Sequence, residues 1–175
     1  MTGLAAMAAH VARRVERLKK DEPVEALRAR PLYARVARDL APAFKPGARI
    51  AEVRFAEPGK GLLAVRATME EAARLSSEAE RRGDAAVAVW VERNFHAGDY
   101  SHLEAARAAC PELVLIARDL VVDLWQLERA RAAGADAVEL DPEILGPALN
   151  AVAAAARGLG LTPVLFGPGP TVRPA

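Results

Sequence analysis

A parallel α/β sheet, built from repeated strand–helix units behind an N-terminal helical extension, is the fold class that the sequence predicts. Three observations point there. From residue 48 onward, short apolar runs alternate with helix-length stretches that end at a glycine or a proline. The strand-like runs number five, with four helices between them, and parallel neighbours require such crossovers. The 175 residues are 52% hydrophobic and 27% charged, an ordinary globular composition with enough chain for one sizeable core.

The elements follow in order. Val11, Val15 and Leu18 recur at helical spacing with Arg and Lys on the other faces, so the chain opens on a helix. A second helical stretch is predicted over 31–40, stopped by the proline-rich run 41–47, which reads as a linker. Residues 1–47 therefore form the extension. Residues 48–166 form the (βα) domain, with strands predicted over 48–55, 85–91, 113–117, 137–140 and 164–166. Helices are predicted over 69–82, 100–109, 124–133 and 147–157, the first, third and fourth followed by Gly83, Gly134 and Gly158. The glycine- and proline-rich ending, 167–175, is expected to be a flexible tail.

Charge and composition exclude several classes. With 24 Lys+Arg against 23 Asp+Glu the net charge is +1, which offers no electrostatic reason to expect nucleic acid or an acidic membrane surface. The most convincing long uncharged stretch, 144–156, contains Gly146 and Pro147 and is too short to span a bilayer. Residues 1–10 lack a basic leader and a cleavage pattern. The single Cys110 cannot form an internal disulfide and reads as a small buried hydrophobe. A cytoplasmic protein is expected, and no residue spacing asks for a metal or a cofactor.

Particular stretches then carry a family resemblance. Residues Ile50-Ala51-Glu52-Val53-Arg54-Phe55-Ala56-Glu57-Pro58-Gly59-Lys60-Gly61 resemble the first-strand motif IAEVKRxSPSxG of indole-3-glycerol-phosphate synthases. The segment from Phe95 to Leu103 resembles that family's YFxGSxxxL, and Leu115-Ile116-Ala117-Arg118-Asp119-Leu120 its LRKDF. Residues 128–138 are similar to its EARAAGADAV stretch, and 159–165 to the approach to its fifth strand. The resemblance implies a TIM-barrel-type fold, here incomplete at about five strands. It also implies a decarboxylating ring closure of a carboxyphenylamino-deoxyribulose phosphate in tryptophan biosynthesis. That chemistry places lysines on the first strand and at the end of the third, and a glutamate on the fifth. Here Glu52 matches the first-strand glutamate, while Arg54 and Arg118 stand at the lysine positions and Phe166 at that of the fifth-strand glutamate. A buried lysine can be tuned to release its proton; an arginine stays protonated. Weak, altered or absent lyase activity is therefore expected. The alternatives are a noncatalytic metabolite-binding protein and a self-associating barrel fragment.

The candidate catalytic residues are thus Glu52, Arg54 and Arg118. Glu52 and Arg54 share a strand face, either as a site remnant or as a structural ion pair. Candidate substrate-binding residues are Glu57, at the first serine of SPS; Lys60, between Gly59 and Gly61 in a loop able to approach a phosphate; His96 and Leu120, at ring-holding aromatic positions; and Asp141. Glu139 and Asp141 share one face of the fourth strand. With Glu52, Arg54, Arg118 and Asp119 they make a mixed-sign rim, either a remodelled polar pocket or, as favoured, a once-buried face that now meets water or a partner. His96 and His102 are expected to face solvent, and Trp90 and Trp125 to serve packing or an interface. A phosphorylated small molecule is the expected substrate. Unpaired sheet edges make a homodimer, or a partner chain that completes or covers the sheet, the expected assembly.

Overall fold

The computed structural model describes residues 3–64, 66–165 and 173–174. The chain opens with α1 (Leu4–Asp21), whose Met7, Val11 and Val15 are buried in the main core. A short α2 (Val24–Arg28) follows, with Leu27 buried. The helix expected over 31–40 is not formed. Only a single 3-10 turn, Pro31–Ala34, appears, and Arg35 is already extended. The reason is tertiary. The carboxylate of Asp136 takes the Arg35 guanidinium and the Arg38 backbone N–H (2.8 Å), fixing 35–38 against the sheet domain in an extended path.

The sheet domain comprises β1 (Ile50–Val53), β2 (Ala56–Glu57), β3 (Gly61–Leu62), α3 (Met69–Arg81), β4 (Ala86–Trp90), α4 (Arg93–His96), α5 (Tyr100–Ala109) and β5 (Leu115–Arg118). It continues through α6 (Leu124–Ala132), β6 (Ala137–Leu140), α7 (Pro142–Leu145), α8 (Leu149–Gly158), β7 (Thr162–Leu165) and β8 (Arg173–Pro174). Strands β1, β4, β5, β6 and β7 are neighbours in that order, all parallel. This is the α/β arrangement of an incomplete TIM-type barrel. β8 joins β7 antiparallel, so residues 173–174 of the expected tail are paired; the rest of that tail, and Phe166, lie outside the described residues.

Two features differ from expectation within this frame. The helix predicted from Pro147 begins elsewhere. Asp141 caps α7 at Pro142, Gly146 turns the chain at φ 49°, and α8 starts at Leu149. The loop after β1 is a small antiparallel hairpin of β2 and β3, turned through Gly59 and Gly61 at positive φ.

Strand periodicity sorts the core into two faces. Val87, Val89, Leu115, Ala117 and Val138 belong to the main core, with Leu103 and Ala106 of α5, Leu127 and Ala130 of α6, and Ala153 and Ala156 of α8. Ala86, Ala88, Ile116, Ala137 and Val164 belong to a second, smaller core. Among the described residues no long helix covers that second face. The 3-10 turn Ala41–Phe44 and the residue before it do, with Leu40 only 1% exposed among these side chains. Helices on one face and strands in sequential order make a singly wound sheet, as in a barrel wall.

Candidate active site

The alternation that sends Ala88, Ile116 and Ala137 to the inner face sends Glu52, Trp90, Arg118 and Glu139 there too, at the carboxyl ends of β1, β4, β5 and β6. The registers pair Glu52 with Ala88 and Trp90 with Arg118, so the four side chains converge. Arg118 is the hub. Its Nη1 donates to Glu52 Oε1 (2.5 Å), its Nη2 to Glu139 Oε1 (3.0 Å), and its Nε to Glu139 Oε2. The Trp90 indole N–H donates to the same Glu52 oxygen at 2.6 Å, and the Arg118 guanidinium lies 5.2 Å from the Trp90 ring centre. Arg54 links onward, 3.6 Å from Glu52 and 3.3 Å from Glu57, and Glu57 pairs with Lys60 at 2.9 Å.

A cavity of about 130 Å³ opens beside this hub. Leu4 and Met7 of α1 form one wall; Trp90, His96, Arg118, Asp119, Leu120, Glu139 and Asp141 form the rest. Of the sequence-predicted residues, the structure therefore gathers Arg118, His96, Leu120 and Asp141 at the cavity and ties Glu52 to it through Arg118 and Trp90. Arg54, Glu57 and Lys60 are not among the lining residues; Glu57 lies in β2, and Lys60 in the turn that leads to β3.

The histidines do not face solvent as expected. His96 and His102 are both buried. His96 stacks on Trp90, ring centres 3.6 Å apart and planes 10° from parallel, with its Nδ1 3.3 Å from Glu92. Gly98 follows closely, and a side chain there would meet the Trp90 carbonyl oxygen at 2.3 Å. On the charged face Glu139 is only 4% exposed, while Arg54, Arg118, Asp119 and Asp141 are half-buried and Glu52 is exposed, so this pocket wall runs from buried to open. The guanidinium between two carboxylates makes that burial tolerable.

The environment sets the charge states. Burial alone would lower the Arg118 value, but Glu139 and Glu52 outweigh it and hold the guanidinium charge more firmly. Burial pushes the Glu139 carboxyl upward, only partly opposed by Arg118, which it shares with Glu52. Burial also raises Asp119, against hydrogen bonds from Gln126 Nε2 (2.8 Å) and the Tyr100 hydroxyl (2.9 Å). Among the described residues, no group of three His, Cys, Asp or Glu side chains is placed to hold a metal ion. Nor is any helix there long and apolar enough to cross a membrane.

Sequence reasoning set Trp90 aside as packing or interface, and put Glu139 in the charged rim without making it a candidate site residue. The signal for both was strand parity, since each lies on the inner-face parity at the carboxyl end of its strand.

Parallel strands with polar and aromatic groups gathered at their carboxyl ends define the barrel class of α/β proteins, where sites lie at that end. Residues 4–165 match the family model for indole-3-glycerol phosphate synthase, and the chain belongs to that family. It is 39% identical over 152 residues to an indole-3-glycerol phosphate synthase of Salinibacter ruber, covering 85% of this chain and 55% of the relative. To the enzyme of that name from Burkholderia vietnamiensis it is 35% identical over 162 residues, 85% of this chain and 60% of the relative. To that of Aromatoleum aromaticum it is 43% identical over 91 residues, covering 52% and 33%. The chain thus spans between a half and two thirds of the first two relatives' length.

Proposed function

We propose that the cavity at the carboxyl end of the sheet is a ligand site for an aromatic ring, remodelled away from the phosphorylated carboxyphenyl substrate that the family transforms. In this reading the decarboxylating ring closure is slow or absent. One observation carries it: the position where the family resemblance asks for a proton-releasing lysine holds Arg118, fully engaged by two carboxylates. A guanidinium stabilises charge but does not give up its proton near neutral pH, and proton transfer is worth roughly 10²–10⁴ in rate. The size of the cavity agrees. A volume of about 130 Å³ has room for one aromatic ring.

The test is turnover of the carboxyphenylamino-deoxyribulose phosphate, followed by indole fluorescence, for the chain and for Glu52→Gln. The expected rate lies roughly 10²-fold or more below that of a full-length relative assayed alongside. Brisk product formation abolished by Glu52→Gln would overturn the reading and show a working proton relay.

A second reading has its own observation. Among the described residues the outer edge of β1 has no strand partner. We propose that this edge is covered by a second copy of the chain.

A further inference from the structure

We propose that Glu139 is the specificity-determining residue of this cavity: it occupies the place on Arg118 that a ligand carboxylate would take, so the site admits an aromatic ring only when that ring carries no carboxylate. The inference deepens the reading of the cavity as a ligand site and rests on it.

Arg118 is the one Lys or Arg side chain among the cavity's lining residues. A planar guanidinium recognises a carboxylate through two parallel N–H bonds, and it is the group such a ligand would seek. Here that fork is already filled. Nε and Nη2 go to the two oxygens of Glu139, and Nη1 goes to Glu52. Glu139 is held on β6, so it competes for the fork at high effective concentration, and it is nearly wholly buried. An incoming carboxylate would have to displace it, leaving a buried anion without its cation, or sit beside it as a like charge. Asp141 at the same wall adds a further acid. The remaining walls suit a ring: the Trp90–His96 stack on one side, Leu4, Met7 and Leu120 on the others. A dry apolar cavity of roughly 150 Å³ holds a benzene molecule, so a single ring fits the volume here.

The experiment uses two small probes, aniline and 2-aminobenzoate, which differ by the carboxylate alone. Binding is read from the Trp90 indole N–H in nitrogen–proton NMR spectra of the whole chain. That signal is one of two indole signals, since the sequence has Trp 2. Aniline is expected to shift the Trp90 signal with at least about tenfold better affinity than 2-aminobenzoate. In Glu139→Leu the preference should reverse, because Arg118 can then receive the carboxylate. Glu139→Gln keeps the side-chain volume and fold while removing the charge, and should narrow the gap by about tenfold.

Aniline binding with no difference between the probes, or a preference that neither variant alters, would overturn the role of Glu139 and leave the ligand site standing. Failure of both probes to reach Trp90 in all three proteins would overturn the ring site itself.

Discussion

At the end of β4, Glu92 accepts hydrogen bonds from the backbone N–H groups of Asn94 (2.8 Å), Phe95 (2.7 Å) and His96 (3.2 Å). It also holds the ring of His96, and through that ring the stack on Trp90. Burial pushes its carboxyl upward, but the His96 contact and the N–H bonds outweigh burial and bring it below the ordinary carboxylate value. A carboxyl lowered in the folded state stabilises fully above its unfolded value, about 4.3, and loses that contribution as the pH falls through the lower folded value. Glu92→Gln is therefore expected to cost roughly 1–3 kcal/mol at pH 7, with the gap from wild type shrinking below about pH 4. Urea unfolding at both pH values checks it; a gap independent of pH would mean the charge is immaterial. The site was only partly legible at this scale. Glu52 and Arg118 are named by their motifs and do meet. Glu139 has no motif, and Glu92, just beyond the strand, looks like any solvated acid until the turn folds back onto it.

Elements whose ends are chemically marked were legible in full. Helix α5 runs over Tyr100–Ala109 as expected, because Asp99 caps Ser101 and Pro111 lies just past its end. β6 matches too, set between Gly134 and the Asp141-Pro142 start of α7. The extension was not. α2 is five residues long, too short for a periodicity, and the segment after Ala34 takes its conformation from groups distant in sequence. Those groups meet at Asp136, 0% exposed, which binds Arg35, the Arg38 N–H, Arg107 Nη2 (2.5 Å) and the Leu115 N–H (2.9 Å). One side chain thus fastens the extension, α5 and the start of β5 to the turn before β6. Asp136→Asn is expected to cost about 3–5 kcal/mol, since it leaves the buried Arg107 and the half-buried Arg35 without their anion. Limited proteolysis should cut the segment between Ala34 and Leu40 faster in the variant. Unchanged unfolding and cleavage would show that the knot is ornamental to stability.

For the molecule as a whole, the singly wound sheet has two faces covered unequally, one by the helices of the main core and one by the short segment around Leu40. The count of parallel strands and their order were legible, because every strand lies beside its successor. What covers the inner face was not, because Leu40, Ala43 and Phe44 sit in a proline-rich run that reads as linker. The edges are equally unlike. At the β7 side the hydrogen-bonding groups meet β8, whose Pro174 has no N–H to offer a further strand. At the β1 side they meet no strand among the described residues. Light scattering is expected to give twice the chain mass of 18.6 kDa, a single 18.6 kDa species at high concentration being the contrary result. Of the two edges, that of β1 is the one left without a strand partner among the described residues. Were two copies to join β1 edge to β1 edge across a twofold axis, each would use up the surface the other needs, and association through that edge would stop at a closed pair.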